Sequence, residues 1–565
     1  MGSLRTSDAV ARKGVPAVLV ALAVGCAAKA LPTPEPVKSK PTAAPQAEGQ
    51  KHAVATEHEA ASKIAREVLR LGGDAVDAAA AAALALGVAT PTACGVGGGG
   101  FAVVFRQKTK EVYVLDFRET APAGLDVAAL DARPLTPDKR GHLVGVPGEI
   151  AGLAKLVQKF GKRSFREDVL PAAELAEQGF TLSAHVARAA GYFEKPLRAL
   201  VPTLGARLLG GGGPLPVGTK VVREDLAKTL HTIAQQGPKA FYDGPLSDAM
   251  VDAAKAVGGT LTRKDLADYA PKERKPLTLQ MGARTLYTMP APSSGGLMLA
   301  QAMVARAHLG AMKIDSGVYL HTVAELMRGS LDDRARFVGD PEATPYDLGP
   351  LYSEARMKAR LAKISPDKTH PPVELRVDEH GTSHLSIVDA EGNAVALTTT
   401  VNGPFGAKIV AGDTGILLND QLDDFGKTAD AIEKKPNVPR AGARPTSSMT
   451  PTIVIEDGKV IAVAGGSGGP RIATSVTLVM LARLVFGAAP GDAVGWPRIH
   501  ATGSKLLLEP SFGTELGDDL TKRGETVEVT DALNAVQLIV VEPRPTGRWL
   551  GAAADPRKGG LSLAD

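Results

Sequence analysis

A threonine followed by polar residues at set intervals is the part of this chain equipped for chemistry. Gly381-Thr382-Ser383-His384 opens a strand-turn-strand pattern; after it come Thr400, Asn402, Gln421 and Asp424, then Ser447-Ser448 and Gly468-Gly469. A threonine hydroxyl is a poor nucleophile unless a base lies beside it, and an N-terminal threonine carries such a base in its own α-amine. The reference pKa of that amine, roughly 7.7 to 8.0, leaves a sizeable fraction neutral near pH 7. Thr382 gains a free amine only if the Gly381–Thr382 bond breaks, so a nucleophile of this kind would first have to react on its own chain.

Other patterns compete. Gly465-Gly466-Ser467-Gly468-Gly469 fits G-x-S-x-G and sits between a predicted strand and an apolar helix from about Thr474 to Phe486, as a nucleophile elbow requires, with Asp492 and His500 following in the right order. The strands before it form an antiparallel hairpin, however, not the parallel βαβ units of an α/β-hydrolase. Gly95 to Gly100 matches G-x-G-x-x-G, yet it follows a helix and leads into a strand, the reverse of a dinucleotide fingerprint. The eleven histidines include no H-E-x-x-H and there are two cysteines, so a metal site has little support. His380 and His384 bracket Gly381-Thr382, but His384 lies on a predicted strand, where a four-residue spacing gives no shared helical face; its expected role is structural.

The elements that must position these residues read as follows. Ala61, Ile64, Ala65, Val68 and Leu69 recur at helical spacing and stop at Gly72-Gly73, and an Ala-rich helix follows from about Asp74 to Leu86. Strands are predicted at Phe101 to Phe105 and Val112 to Phe117. The middle third, to about Leu361, reads as a mostly helical layer broken by loops such as Gly210 to Gly213 and Pro290 to Gly296. In the last third, Leu385 to Val388 and Ala394 to Val401 flank Glu391-Gly392-Asn393, and Thr452 to Ile455 and Val460 to Val463 flank Asp457-Gly458, a strong hairpin signal. Further strands are expected at Leu506 to Leu508, Val527 to Val529 and Val536 to Val541. Antiparallel hairpins with helices before and between them imply an α+β architecture of stacked sheets covered by helices.

With 565 residues, 44% hydrophobic and 22% charged, the composition is globular. The net charge of +4 comes from 65 basic and 61 acidic residues without a basic run interleaved with aromatics, which argues against nucleic acid as a partner. Arg5, Arg12 and Lys13 precede an apolar run from Val15 to Gly25 that is too short to span a bilayer, the pattern of an export signal over residues 1–26. Ala23-Val24-Gly25-Cys26 resembles a bacterial lipoprotein box, in which Cys26 would be lipidated; cleavage after Ala28-Lys29-Ala30 is the alternative. Either route places the protein in the bacterial periplasm or at the cell surface, with membrane contact only through a lipid anchor. Residues 27–50, rich in Pro and Ala, read as an extended tether. The other cysteine, Cys94, would then have no disulfide partner.

Taken together, the run after Gly381 resembles the γ-glutamyltransferase (glutathione hydrolase) family. Further strings similar to that family are Gly72 to Asp77, Gly97 to Phe101, Asp116-Phe117-Arg118-Glu119, Pro292 to Gly296, Asp333-Arg334, Arg444 to Pro451 and Asp555-Pro556-Arg557, so the likeness spans roughly Ala53 to Arg557. It implies a four-layer αββα sandwich of the N-terminal-nucleophile hydrolase type, cut after Gly381 into a large subunit (51–381) and a small, catalytic one (382–565) that stay together, with no cofactor. Thr382 would be the nucleophile, Thr400 would orient it, and Gly468 and Gly469 would offer backbone N–H groups to the oxyanion. The resemblance also assigns the substrate's α-carboxylate to Arg118, Ser447 and Ser448, and its α-ammonium to Asp424, with Gln421 and Asn402 as further polar contacts. The implied substrate is glutathione with an amino acid or peptide acceptor. The related cephalosporin acylases, whose substrates lack this head group, fit less well. Where many family members carry an aromatic lid, Gly426 to Thr446 is rich in Lys, Ala and Pro, so a shorter cover and an opening to poly-γ-glutamate are alternatives; an inactive exported binding scaffold is another.

Overall fold

The computed structural model describes residues 43–370, 381–431, 435–531, 534–545 and 547–565. Both hairpins expected in the last third form, and each lies in the middle of a seven-stranded sheet. Strands β1 (Gly99–Arg106), β2 (Glu111–Phe117), β3 (Gly381–Val388) and β4 (Ala394–Asn402) belong to the first sheet, in which β3 pairs antiparallel with β4, Leu385 opposite Leu397. Strands β5 (Thr452–Glu456) and β6 (Lys459–Ser467) belong to the second. Their turn residues Asp457 (φ 49°) and Gly458 (φ 68°) both take the left-handed conformation that a tight two-residue hairpin needs. Across the first sheet the strand order is 561–564, 53–56, β3, β4, β1, β2 and 272–274; across the second it is 46–49, 547–553, 535–544, β6, β5, 284–288 and 277–281.

Alternation sorts the side chains. Leu385, Ile387, Val395 and Leu397 point into one core, shared with helix α1 (Ala75–Ala89), whereas Val388, Ala394 and Ala396 point into another, shared with Val454, Val463 and Leu538 of the second sheet. Every residue of β3 and β4 is buried, as strands covered on both faces must be. Helix α1 is buried along its whole length; its alanines let it lie close to the sheet, and Asp74 caps it by accepting from the Val76 and Asp77 N–H groups. Helices α2 (Gly295–Val304), α3 (Gly317–Phe337) and α4 (Ile472–Leu484) share the second core and cover the second sheet. The result is the expected helix–sheet–sheet–helix sandwich.

Some expectations need correction. The middle third also supplies strands Lys272–Arg274, Leu277–Met281 and Arg284–Thr288; the first two are sheet edges and the third lies between Leu277–Met281 and β5, and all are short runs set among helices, with Pro276 interrupting them, so they do not stand out from a helical layer. Leu209–Gly210 and Gly213–Pro214 pair across the tip read as loop. Lys505–Leu508 and Thr526–Val529 pair in parallel, in a separate three-stranded sheet with Ile499–Thr502. The proposed tether ends early, because Gln46–Gly49 pairs with Gly547–Ala553. Residues 1–42, including Cys26, and His380 fall outside the described residues. Among the described residues no helix is long and apolar enough to cross a membrane.

Candidate active site

Strand β3 begins at Gly381, and its ladder to β4 slips there: Gly381 faces Asn402 while Ser383 faces Thr399. Such a bulge re-aims side chains, and here the Thr382 and Thr400 hydroxyl oxygens come to 3.3 Å from one another. Both hydroxyls donate to the Gly381 carbonyl oxygen at 2.6 Å. Thr400 Oγ1 in turn accepts from the Asn402 N–H at 2.8 Å. Gly381 packs so closely on the turn at 91–93, just past helix α1, that a Cβ would lie 2.2 Å from the Thr92 carbonyl oxygen. The peptide that would be cut is thus held with its carbonyl oxygen under two hydroxyl donors. Behind it, Lys558 Nζ donates to the Thr382 carbonyl at 3.0 Å and to Ser467 Oγ at 2.7 Å, and lies 3.5 Å from the buried Glu57.

The remaining residues converge from distant parts of the chain. Arg118, just past β2, is buried; its Nε donates to the Pro445 carbonyl at 3.1 Å and its Nη2 to the Thr446 carbonyl at 3.1 Å. The same Nη2 meets Asp424 Oδ2 at 2.5 Å, and Gln421 donates to that oxygen from behind at 2.8 Å. Ser447 and Ser448 are held by the 292–296 turn, where the Ser294 N–H and hydroxyl both donate to the Ser447 carbonyl at 2.9 Å. Thr382, Thr400, Asn402, Arg118, Asp424, Ser447, Ser448 and Gly469 line one cleft. Gln421 and Gly468 adjoin lining residues instead, Gln421 through its bond to Asp424 and Gly468 as the residue before Gly469. Gly468 (φ 115°) and Gly469 (φ 63°) are successive left-handed residues leading into α4, so their backbone sits at the positive end of a helix, a place suited to a developing oxyanion.

Arg334, on α3, also lines the cleft, and the sequence reading gave it no role. It donates to Ser294 Oγ at 3.1 Å, to the Ser447 carbonyl at 3.3 Å and to Ser448 Oγ. Burial pushes its pKa down to about 10, Arg118 acting in the same direction and Asp424 against it, so it stays charged at neutral pH. Burial also lifts Glu119 to about 8 despite Arg118 beside it, and Glu149, which accepts from Thr399 at 2.7 Å, to about 8. The cleft therefore presents two guanidinium groups and the Asp424 carboxylate, charges that suit an α-carboxylate and α-ammonium carried on one carbon.

The rival readings fail on geometry. Ser467 is buried beside Lys558, and His500 bonds Thr474 at 3.0 Å, so no serine–histidine pair exists there. Strand β6 is antiparallel to both its neighbours. His384 bonds Thr398 and Ser386, and burial lowers its pKa to about 3, so it is neutral and structural. No described residue of 426–446 lines the cleft.

A threonine at the head of a central strand in an αββα sandwich defines an N-terminal-nucleophile hydrolase, and the fold agrees. A cephalosporin acylase from Bacillus halodurans superposes with a TM-score of 0.83 over 95% of this chain and 98% of its own, at 24% identity. The chain belongs to the γ-glutamyltranspeptidase family, whose model matches residues 61–564. It is 34% identical over 551 residues to the glutathione hydrolase proenzyme of Pseudomonas aeruginosa, covering 90% of this chain and 94% of that one. It is 32% identical over 532 residues to the proenzyme of the same name from Escherichia coli K12, covering 89% and 90%.

Proposed function

We propose that this enzyme cuts itself between Gly381 and Thr382 and then hydrolyses or transfers γ-glutamyl groups, with glutathione as donor. The observation that carries the reading is the Gly381 carbonyl held by the Thr382 and Thr400 hydroxyls at the wall of a cleft bearing Arg118, Arg334 and Asp424. In maturation, Thr382 Oγ1 attacks the Gly381 carbonyl carbon, the C–N bond breaks as the amine takes the proton, and the resulting ester is hydrolysed by water. Gly381 ends in a carboxylate and Thr382 in a free amine.

In turnover that amine takes the hydroxyl proton as Oγ1 attacks the γ-carbonyl of the donor, and returns it to the departing amine. The oxyanion faces the Gly468 and Gly469 N–H groups; losing one such donor typically costs about 2.7 to 4 kcal/mol. Arg118, Ser447, Ser448 and Arg334 face the α-carboxylate, and Asp424, supported by Gln421 and near Asn402, faces the α-ammonium. Water releases glutamate from the Thr382 ester; an amino acid or peptide amine instead takes the acyl group. The two products of cutting remain one enzyme. Export with a lipid on Cys26 is part of the proposal and rests on the leader's sequence.

Intact mass and N-terminal sequencing of protein lacking residues 1–26, alongside Thr382→Ala, test the central claim. Two fragments, one beginning at Thr382, together with an uncut variant and release of glutamate from glutathione by the wild type, are expected. A folded, uncut wild-type chain would overturn it. For the anchor, palmitate labelling that Cys26→Ser abolishes is expected, and an unlabelled full-length chain refutes it.

A further inference from the structure

The described residues of 426–446 do not line the cleft, and their hydrogen bonds point to a different task. The excursion after Gly426 is closed at its base, where the Gly426 N–H donates to the Asn437 carbonyl at 2.8 Å. From that closure the half-buried Asn437 side chain reaches both walls of the head-group site. Its Nδ2 donates to the Asp424 carbonyl at 2.7 Å, and its Oδ1 accepts from the Thr446 N–H at 3.0 Å. A carbonyl can only accept and an N–H can only donate, so the two partners fix which way the amide faces. Thr446 directly precedes Ser447-Ser448, and its own carbonyl holds the Arg118 guanidinium at 3.1 Å. One side chain thus sets the distance between the loop carrying Asp424 and the segment carrying the carboxylate-facing groups.

On the far side of Asp424, the largely covered side chain of Arg133 grips the same loop by its backbone, donating to the Asp423 carbonyl at 2.6 Å, the Phe425 carbonyl at 3.0 Å and the Gly426 carbonyl at 3.1 Å. The loop is therefore anchored independently of Asn437. Loss of Asn437 should change its spacing from Thr446 without releasing it altogether.

We propose that Asn437 is a positioning residue that fixes the spacing of the ammonium-facing and carboxylate-facing groups, and so sets the enzyme's preference for donors with a complete α-amino-acid head group. The proposal rests on the γ-glutamyl reading above. An amide is required for it: aspartate at 437 would set a carboxylate oxygen against the Asp424 carbonyl, two acceptors with no proton between them.

The test compares γ-glutamyl-p-nitroanilide with glutaryl-p-nitroanilide, which lacks the α-ammonium, in wild type, Asn437→Asp, Asn437→Ala and Arg440→Ala. The last loosens the same segment where Arg440 bonds the Ala343 carbonyl and Thr344, away from the head-group site. For both Asn437 variants the kcat/KM ratio of the two donors is expected to fall about tenfold, the worth of one or two hydrogen bonds. The fall should appear as a raised KM for the γ-glutamyl donor, with kcat within about threefold and self-cutting intact. Arg440→Ala should keep the wild-type ratio. If both donors decline in step, if the ratio does not move, or if Arg440→Ala shifts it equally, Asn437 is only a packing residue. Failure of both Asn437 variants to fold would likewise show that its work is structural. A wild-type enzyme that turns over neither donor would refute the γ-glutamyl reading instead.

Discussion

Thr400→Val removes one hydroxyl and keeps the β-branched shape of the strand residue, so its effect can be worked from two hydrogen bonds. Thr400 Oγ1 donates to the Gly381 carbonyl oxygen at 2.6 Å. When Thr382 attacks, that oxygen becomes an alkoxide, and a donor already in place gains strength as the charge develops. Removing a donor of this kind costs about 2.7 to 4 kcal/mol of barrier, or roughly 100- to 1,000-fold in rate at about 1.36 kcal/mol per factor of ten. The second bond, from the Asn402 N–H at 2.8 Å, has a different consequence: a buried N–H left without an acceptor costs about 1 to 3 kcal/mol of stability. Thr400→Val should therefore accumulate as folded, uncut precursor with a lowered melting temperature, whereas Thr400→Ser, which keeps the oxygen, should cut within about tenfold of wild type. The assay is a time course of the two fragments by denaturing gel and intact mass, with a thermal melt of the same samples. Thr400→Val that cuts at the wild-type rate while melting lower would refute the reasoning, since it would separate the hydroxyl's structural bond from any part in the reaction.

Gly381→Ala would place a Cβ 2.2 Å from the Thr92 carbonyl oxygen and 2.8 Å from Ala93 Cα, both backbone atoms. The start of β3 must shift, and a misplacement near 1 Å slows self-cutting by roughly 100-fold, read in the same time course. Arg334→Met removes charged donors from Ser448 and the Ser447 carbonyl; kcat/KM for γ-glutamyl-p-nitroanilide should fall by about 10- to 150-fold, chiefly through KM, at about 1.5 to 3 kcal/mol for a bond to a charged group. Glu119 titrates at about 8 in the fold against an ordinary 4.5 because it is buried. The stability its proton confers is full below about pH 4.5 and lost as pH rises through 8. Glu119→Gln, which cannot ionise, should thus gain on wild type by about 3 kcal/mol between pH 5.5 and 8.5, at roughly 1.36 kcal/mol per pH unit. Chemical denaturation of the Thr382→Ala background at the two pH values checks this, and equal offsets at both would contradict it.

The central strands and the surroundings of Thr382 were legible because local chemistry and global position agree there. Alternation places Leu385 and Ile387 on one face, and Asp457-Gly458 supplies the positive φ values its turn needs. The strands at Leu277–Met281 and Arg284–Thr288 were not, since such short runs set between helices merge into a stretch that reads as a helical layer. Within the site, the residues after Gly381 stand out through order and type. Arg334 lies within the family-like Asp333-Arg334 string but carries no role there: only the packing of α3 against the Ser447 turn aims it into the cleft, while Arg336 two positions on is an exposed partner of Asp332. Lys558, Asn437 and Arg133 escaped for the same reason, because each acts on backbone groups more than 100 positions away, or across a loop whose closure no local pattern announces.

The strand orders have a consequence for the lifetime of the enzyme. Segments from before and after residue 381 alternate in both sheets: 53–56 lies between 561–564 and β3, β4 pairs with β1, 46–49 pairs with 547–553, and β5 pairs with 284–288. A cut at Gly381 leaves two polypeptides woven through one another, with neither holding a complete sheet. Separation would mean tearing several ladders at once, so the cut enzyme should persist through kinetic resistance to unfolding even where its thermodynamic margin is thin. Once dispersed by denaturant, the pieces face a bimolecular search that the precursor never had to make. Renaturation should therefore be efficient for uncut Thr382→Ala and poor, as well as concentration-dependent, for the mature protein. Folding of this molecule is in that sense performed once, with maturation erasing the route by which it was achieved.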